Sequence, residues 1–149
     1  MNLVTRTKVT QVLGYYGAGT TNEKADIIDM ANFDGVMFIF ELGQLTTAGT
    51  VDCFVKGDAA NATGAMTRLL GQTIHTVSAA EAAYTKSCIL VDIFQPDPVL
   101  HRYLEANITP AAQTAVILGV TAIQYSGRLH PDAQSASVIE STFIQSPGE

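Results

Sequence analysis

Residues 31–45 read ANFDGVMFIFELGQL and contain the run that decides the fold class, five consecutive apolar residues from Val36 to Phe40. The turn signal Asp34-Gly35 precedes the run, and Glu41 follows it. A short apolar run bounded in this way, and rich in bulky side chains, is typical of a buried strand. We therefore interpret residues 36–42 as a strand whose side chains build a core.

The same kind of signal recurs along the chain. Apolar or alternating stretches of strand length lie at residues 27–28, 50–56, 73–77, 87–94, 101–109 and 115–125, and residues 137–144 are a candidate for a further short strand. Sustained helical periodicity is absent, although Asp58 suits the cap of a helical turn through Ala65, and Ser78 with Glu81 has the spacing of a capping box. Roughly seven or eight short strands separated by turns predict an all-β fold. We expect a jelly-roll-like β-sandwich with one or two short helical turns; an α+β fold is the alternative.

Gly119 lies in the middle of the longest apolar stretch, AVILGVTAIQY at residues 115–125. Glycine weakens the interior of a strand because it offers no side chain to pack. Its position therefore predicts either a β-bulge or the close approach of another backbone.

The first 22 residues differ from the rest in charge and in glycine content. They carry two basic side chains, Arg6 and Lys8, and no acidic ones, and their last part, GYYGAGTTN, contains three glycines. Their apolar residues are too sparse for a separate core, and ordering glycine costs much backbone entropy. We expect residues 1–22 to form an extended N-terminal arm and residues 23–149 to form the β-sandwich body.

Composition limits the partners that we expect. Of the 149 residues, 47% are hydrophobic and only 15% are charged, against about 25% charged residues in typical domains. A partner covers such a surface at low cost because few charges lose their water. The net charge is −6, and six basic against fourteen acidic side chains follow residue 22. Because this acidic body repels phosphate groups, we expect no nucleic-acid partner.

Targeting and membrane signals are missing from the sequence. The first residues lead into charged side chains rather than into an apolar signal core, and no apolar run approaches the ~20 residues of a membrane helix. Cys53 and Cys88 both lie in apolar stretches, which favours two buried, reduced thiols over a disulfide. We expect a soluble protein made in a reducing cytoplasm, with no membrane partner.

Motifs for phosphate or zinc binding are also missing. The glycines of GYYGAGTTN are not followed by the Lys-Ser/Thr pair of a phosphate-binding loop. His75, His101 and His130 each lack a second ligand at zinc spacing. These patterns assign no cofactor-binding site and no metal site.

Acidic and nucleophilic side chains give no clearer signal. Asp92, Asp97 and Glu105 would suit a hard cation if the fold brought them together, but no calcium-loop pattern is present. Asp26 and Asp29 form a pair of carboxylates without any feature that raises a pKa. No serine lies in a nucleophile elbow. We assign no catalytic residue and expect no enzymatic activity.

Several stretches of the body follow one another in a recognisable order. They are KADIIDMANFDGVMFIFELG at residues 24–43, VDIFQPD at 91–97, HRYLEANIT at 101–109, QTAVILGVTAIQYSGRLHP at 113–131 and the closing SPGE. This order resembles that of small structural proteins of tailed-phage heads. The resemblance covers residues 24–149 and rests on hydrophobic pattern and polar landmarks such as Arg102-Tyr103 and Gln124-Tyr125.

The resemblance implies a structural virion protein, namely a capsid decoration (cement) protein on the outer surface of the head. Its partner would be the major capsid protein, whose lattice it stabilises, and it would self-associate as a homotrimer. A head–tail junction protein is one alternative. A carbohydrate-binding β-sandwich is another, although the absence of Trp removes the ring that most often stacks on sugars. An enzyme is the third.

Overall fold

The computed structural model describes residues 6–69, 74–126 and 137–138. Within these ranges it contains eleven strands and one short helix. In chain order they are β1 Thr7–Leu13, β2 Tyr16–Gly19, β3 Glu23–Lys24, β4 Ile28–Asp29, β5 Gly35–Leu45, β6 Thr50–Asp58, β7 Thr67–Arg68, β8 His75–Thr76, α1 Ala79–Ala82, β9 Ser87–Phe94, β10 Tyr103–Ala111 and β11 Ala115–Tyr125.

The strands form two antiparallel sheets. The five-stranded sheet has the order β1-β11-β5-β9, and β2 pairs with β11 beyond the end of β1. The six-stranded sheet has the order β3-β10-β6-β7, with β4 also on β10 and β8 also on β6. β1 and β2 share one position in their sheet, and so do β3 and β4, and β7 and β8. The eleven strands therefore fill eight positions, four in each sheet. This arrangement is that of a jelly roll, and the predicted all-β sandwich is confirmed.

The core lies between the two sheets. Phe38 and Phe40 of β5 are fully buried, with ring centroids 6.5 Å apart. They belong to one apolar cluster with Leu104 and Ile108 of β10, which come from the other sheet. The apolar run at residues 36–40 is therefore the central wall of the core.

The longer predicted strands are confirmed. Residues 36–42, 50–56 and 87–94 lie in β5, β6 and β9, and residues 115–125 coincide with β11. The capping box at α1 is present as well: Ser78 Oγ accepts from the Glu81 backbone N–H, and the Glu81 carboxylate accepts from the Ser78 N–H at 2.7 Å. Continuous apolar runs and capping boxes are local sequence signals, and in these segments the local signal predicts the observed structure.

The predicted helical turn at residues 58–65 is wrong. The Asp58 carboxylate accepts a hydrogen bond from the Ala60 N–H, two residues ahead, and the Ala62 N–H donates to the Ala60 carbonyl. Aspartate often makes such short contacts, which close a turn and compete with helix formation. Residues 59–65 are bends and turns.

The extended N-terminal arm requires a correction. Residues 7–13 form β1, which pairs with β11 along Val120–Tyr125, and β2 continues the same edge. Val12 and Leu13 belong to the core cluster, and the Val12 carbonyl accepts a hydrogen bond from the Asp26 N–H at 2.8 Å. Residue 22 is therefore not a boundary between an arm and a body, because sheet pairing and core packing continue on both sides of it.

Gly119 has the role that its position predicts. The register between β5 and β11 shifts between Ile117 and Gly119, as at a bulge. A β-carbon added at Gly119 would lie 2.9 Å from the Leu13 carbonyl oxygen. Both features, the bulge and the close backbone approach, occur at this residue.

The possible strand at residues 137–144 lies almost wholly outside the described residues. Residues 137 and 138 are described and are not in a strand. Ser137 lies beside β1, where its hydroxyl accepts a hydrogen bond from the Gln11 N–H at 3.0 Å.

Candidate functional site

The strand β9 occupies one outer position of the five-stranded sheet. All eight of its residues pair with β5 without a register shift, from Ser87 opposite Leu42 to Phe94 opposite Gly35. Within the part of the chain that the structure describes, no strand pairs with its other side. A long, regular and unpaired strand edge is a template for association with another chain.

The outward face of β9 is unusually apolar. Leu90 is 58% exposed and Phe94 is 63% exposed, and after the strand Val99 and Leu100 are 73% and 59% exposed. With Cys88 on the same strand face, these residues define what we call the β9 surface. Several exposed apolar side chains on one strand and the turn that follows it favour a site of interaction, whereas single ones need no explanation.

A hydrogen bond across β5 holds this face in place. The Tyr125 ring on β11 lies over Gly35, where it leaves no room for a β-carbon, and its hydroxyl donates to the Asp92 carboxylate on β9 at 2.7 Å. Burial raises the pKa of Tyr125 to about 12, and the bond to Asp92 acts in the same direction. The phenol is therefore a stable donor that ties three adjacent strands together.

The two cysteines differ, contrary to the sequence interpretation. Cys53 on β6 is buried, and burial raises the pKa of its thiol. Cys88 on β9 is exposed. The stretch SCILVDIF is apolar on both faces, so its pattern does not reveal that only Ile89, Val91 and Ile93 pack against the core.

The turn after β9 presents the remaining part of the β9 surface. The Asp97 carboxylate accepts from the backbone N–H groups of Val99 and Leu100 at 2.8 and 3.1 Å, and the Asp97 carbonyl accepts from the His101 N–H. These backbone donors hold the pKa of Asp97 below its usual value. The turn is thus fixed by local hydrogen bonds while its two apolar side chains point into solvent.

A cleft lies beside this turn, at the end of the sandwich. Its volume is about 430 Å³. It is lined by Met30, Ala31, Asn32, Phe33, Asp34, Gln95, Pro96, Pro98, His101 and Arg102, which we call the end cleft. These residues come from the β4–β5 and β9–β10 connections, which the fold brings together although they are about sixty residues apart.

An ion pair fixes one wall of the end cleft. Arg102 donates through Nε and Nη2 to the two carboxylate oxygens of Asp29, at 2.9 and 2.7 Å, and its guanidinium lies over the Tyr103 ring. Hydrogen bonding to Arg102 holds the pKa of Asp29 below its usual value. Asp29 therefore orients an arginine, whereas the backbone N–H of Asp26 donates to the Val12 carbonyl of β1.

The other candidate ligands do not converge. Asp92 is on the five-stranded sheet and Glu105 is on the six-stranded one, while Asp97 caps its own turn. His75 contacts Glu81 at 3.1 Å, and His130 lies outside the described residues. Among the residues that the structure describes, no three His, Cys, Asp or Glu side chains are placed to hold a metal ion.

A buried polar pair on β10 escaped the sequence interpretation. Glu105 and Asn107 are each 1% exposed, and the Asn107 amide donates to the Glu105 carboxylate at 3.0 Å. The alternation in HRYLEANIT gives no sign that residues on both faces of β10 are buried.

None of the helices described in the structure has the length and apolarity needed to cross a membrane.

Comparisons with known proteins identify the fold. No protein-family model and no curated protein matches the sequence. Among solved structures, the chain is similar to the VP2 subviral particle of infectious bursal disease virus, with a TM-score of 0.53, 10% identity and 85% of this chain covered. The structure of the Gx strain of the same virus gives a TM-score of 0.50, 12% identity and the same coverage. A carbohydrate-binding module specific for non-crystalline cellulose gives 0.45 at 15% identity, covering 76% of this chain and 69% of that one.

The chain spans 34% of the length of each of the two viral chains that it matches. At such identities the likeness is one of fold. The jelly-roll-like sandwich seen here is the fold of a domain in a viral capsid protein.

Proposed function

We propose that this chain is a structural virion protein, a capsid decoration protein that binds the outer surface of a tailed-phage head and stabilises the lattice of the major capsid protein. The β9 surface is the observation that carries the proposal. It combines an unpaired strand edge with exposed Leu90, Phe94, Val99 and Leu100 on a rigid sandwich. The resemblance of residues 24–149 to phage-head proteins supplies the expected partner.

The chemistry of the β9 surface suits a large, flat and weakly charged partner. Asp92 is its one charged side chain along the strand, and that carboxylate already accepts a hydrogen bond from Tyr125. Covering the surface therefore removes little charge from water. An edge strand also offers backbone hydrogen bonds to a partner strand, which adds directional contacts to the apolar ones.

A comparison of the free energy of apolar burial with the free-energy cost of association favours attachment through several copies. Full burial of one large apolar side chain contributes about 1.5–3 kcal/mol, so four partly exposed ones give roughly 4–8 kcal/mol. Association costs about 4–15 kcal/mol in lost motional freedom. One copy alone would thus bind weakly. A homotrimer that engages three lattice sites together would bind far more tightly, and we include this oligomer in the proposal.

The fold is compatible with this role. The VP2 protein of infectious bursal disease virus, which builds a subviral particle, contains the same kind of sandwich. Fold alone does not assign a function, because jelly rolls serve many. The similarity supports only that such a sandwich can serve in a viral shell.

The proposal is tested by binding to capsids that lack this protein. The variant Leu90→Thr/Phe94→Thr removes apolar area from β9 while keeping side chains that favour strands. Tyr15→Thr/Ile74→Thr is the matched control, because these residues are 67% and 59% exposed and lie outside the β9 surface. We expect the β9 variant to fold normally and to lose about tenfold or more in co-sedimentation with capsids, while the control binds as the parent does.

Two results would contradict the proposal. One is that the β9 variant binds as well as the parent, and the other is that the control loses as much binding. Electron microscopy of the particles distinguishes a decoration protein from the alternative, a head–tail junction protein. Copies spread over the shell support decoration, whereas copies at a single vertex indicate a head–tail junction protein.

A further inference from the structure

We propose that the end cleft is a binding site for a short, neutral saccharide, separate from the β9 surface and from capsid attachment. The two sites share the β9–β10 connection but no residue. Val99 and Leu100 of that connection belong to the β9 surface, whereas Gln95, His101 and Arg102 line the end cleft. Loss of one site therefore need not remove the other.

The size and walls of the end cleft suit a small ligand. Its volume of about 430 Å³ falls within the roughly 300–1,000 Å³ of typical ligand sites. Met30, Phe33, Pro96 and Pro98 provide apolar walls, two of them stiffened by proline rings. Such walls suit the carbon faces of sugar rings, and polar groups between them fix orientation.

Several polar groups around the end cleft have no protein partner among the described residues. The Nη1 nitrogen of Arg102 is one, since Asp29 occupies only Nε and Nη2. The side-chain amides of Asn32 and Gln95 also make no hydrogen bond there. Together these groups offer both donors and acceptors, and ligand hydroxyls, which donate and accept, can satisfy both kinds.

His101 adds a donor of defined orientation. Its ring packs over Gly57, where a β-carbon would lie 3.0 Å from Nδ1, and Nδ1 is buried without a hydrogen-bond partner. A proton on Nδ1 would be a buried N–H without an acceptor, which is costly. The tautomer that avoids this cost has its proton on Nε2, and in the proposed site Nε2 is the donor to a ligand.

Two of the five described non-glycine residues with a positive φ lie in the end cleft. Asn32 and Gln95 line the end cleft from opposite connections, and both have positive φ values, 72° and 51°. Asparagine tolerates this conformation well, but glutamine does so less readily, so the backbone of Gln95 is strained. Strained residues that the surrounding fold holds in place often belong to binding sites.

Charge decides the class of ligand. Among the lining residues, Arg102 and Asp34 carry opposite charges, and Asp29 adds a further negative charge at the guanidinium. An anion such as phosphate would meet no excess of positive charge. A neutral ligand rich in hydroxyl groups matches the mixed polar groups and the apolar walls together.

The test uses the full chain, isotopically labelled, in an NMR titration. The probes are methyl glycosides of glucose, galactose, mannose and N-acetylglucosamine, and their common disaccharides, with inorganic phosphate as the counter-probe. We expect at least one saccharide to give saturable shifts in residues 30–34 and 95–102, and phosphate to give none there. Weak binding in the millimolar range is the expected regime for a small open site.

Paired variants connect the shifts to the end cleft. Asn32→Gly removes the amide while keeping a residue that accepts positive φ, and Asn61→Gly makes the same change in an exposed turn outside it. We expect Asn32→Gly to weaken saccharide binding by about tenfold and Asn61→Gly to leave it unchanged. The proposal is overturned if no saccharide binds saturably, if the shifts map elsewhere, or if phosphate binds in the cleft and saccharides do not.

Discussion

The two outer positions of the five-stranded sheet are built in opposite ways. At one, β1 and β2 divide the edge between them, a register shift falls between Gln11 and Leu13, and the Gln11 N–H is bonded to Ser137. At the other, β9 runs for eight residues without a shift and exposes Leu90 and Phe94. One edge is interrupted and occupied by the chain itself, while the other is regular and apolar.

This difference indicates that the β1 edge contributes to the stability of the fold, whereas the β9 edge remains suited to interaction with another chain. Interruptions and bonded edge groups are means by which proteins keep sheet edges from pairing with other chains. β9 contains no proline, no bulge and no lysine, and within the described residues no strand pairs with its outer side. The β1 edge therefore belongs to the folded core, and the β9 edge is the one that we propose for partner binding. The two edges should respond differently to the same kind of change.

Removal of the β1 edge should have the largest effect. Deleting residues 1–21 takes away β1 and β2, exposes the side of β11 and removes Val12 and Leu13 from the core. Each of these two side chains alone contributes about 1.5–3 kcal/mol, a large part of a typical stability of 5–15 kcal/mol. We expect no cooperative melting transition by circular dichroism. A truncated chain that melts like the parent would restore the interpretation of these residues as an arm.

Two leucines allow a matched comparison of the edges. Leu13 in β1 is 7% exposed, whereas Leu90 in β9 is 58% exposed. We expect Leu13→Ala to cost about 2–5 kcal/mol of unfolding free energy, as buried leucines do, and Leu90→Ala to change it by only about 0.5 kcal/mol. Denaturant titrations measure both. Equal costs would show that the two edges do not differ in the proposed way.

Gly119 tests the contact that secures the β1 edge. A side chain there would press against the Leu13 carbonyl and move β1 away from β11. We expect Gly119→Val to destabilise the protein by about 1–3 kcal/mol. Gly64 is a suitable control, because a β-carbon there meets no atom within 4 Å and its φ is not in the positive range. If Gly119→Val and Gly64→Val have the same effect, the close approach at Gly119 is unimportant.

The smallest expected effect concerns the bond that orders β9. Tyr125 has a raised pKa in the folded protein, about 12, against about 10 when unfolded. Since folding favours the neutral phenol, its contribution is complete below pH about 10 and is lost as the pH rises toward about 12. We expect the melting temperature of Tyr125→Phe to fall less steeply than that of the parent over this range. If the melting temperatures of the two proteins fall in parallel with pH, the Tyr125 hydroxyl does not have the assigned role in stabilising the fold.

Local sequence signals predict the centre of the fold better than its edges. The continuous apolar runs of β5 and β11 have one good explanation, burial between sheets, and they were identified. β1 was missed because only Thr7, Val12 and Leu13 of its seven residues are buried. The glycines of β2 indicated a flexible segment, although they pair with β11. Pairing with a distant strand decided these cases, and a local pattern does not contain that information.

The candidate sites were less predictable for the same reason. The end cleft joins residues 30–34 to residues 95–102, and no linear motif connects them. On β9, apolar side chains at six of the eight positions, distributed over both faces of the strand, give no indication of which face the core covers. Cys88, Leu90 and Phe94 are exposed because the alternate residues Ile89, Val91 and Ile93 pack against the core, and the sequence does not show which of the two sets does so.

The most direct test of the β9 surface uses the thiol that it already contains. Cys88 is exposed on β9, whereas Cys53 is buried in the core, so the folded chain should react rapidly with a maleimide at Cys88 alone. Denatured protein, in which both thiols react, is the control. In purified virions we expect the chain to be present and Cys88 to be strongly protected, because the proposed attachment places β9 against the capsid lattice. A Cys88 that reacts as fast in the virion as in the free protein would contradict the assignment of β9 as the attachment surface.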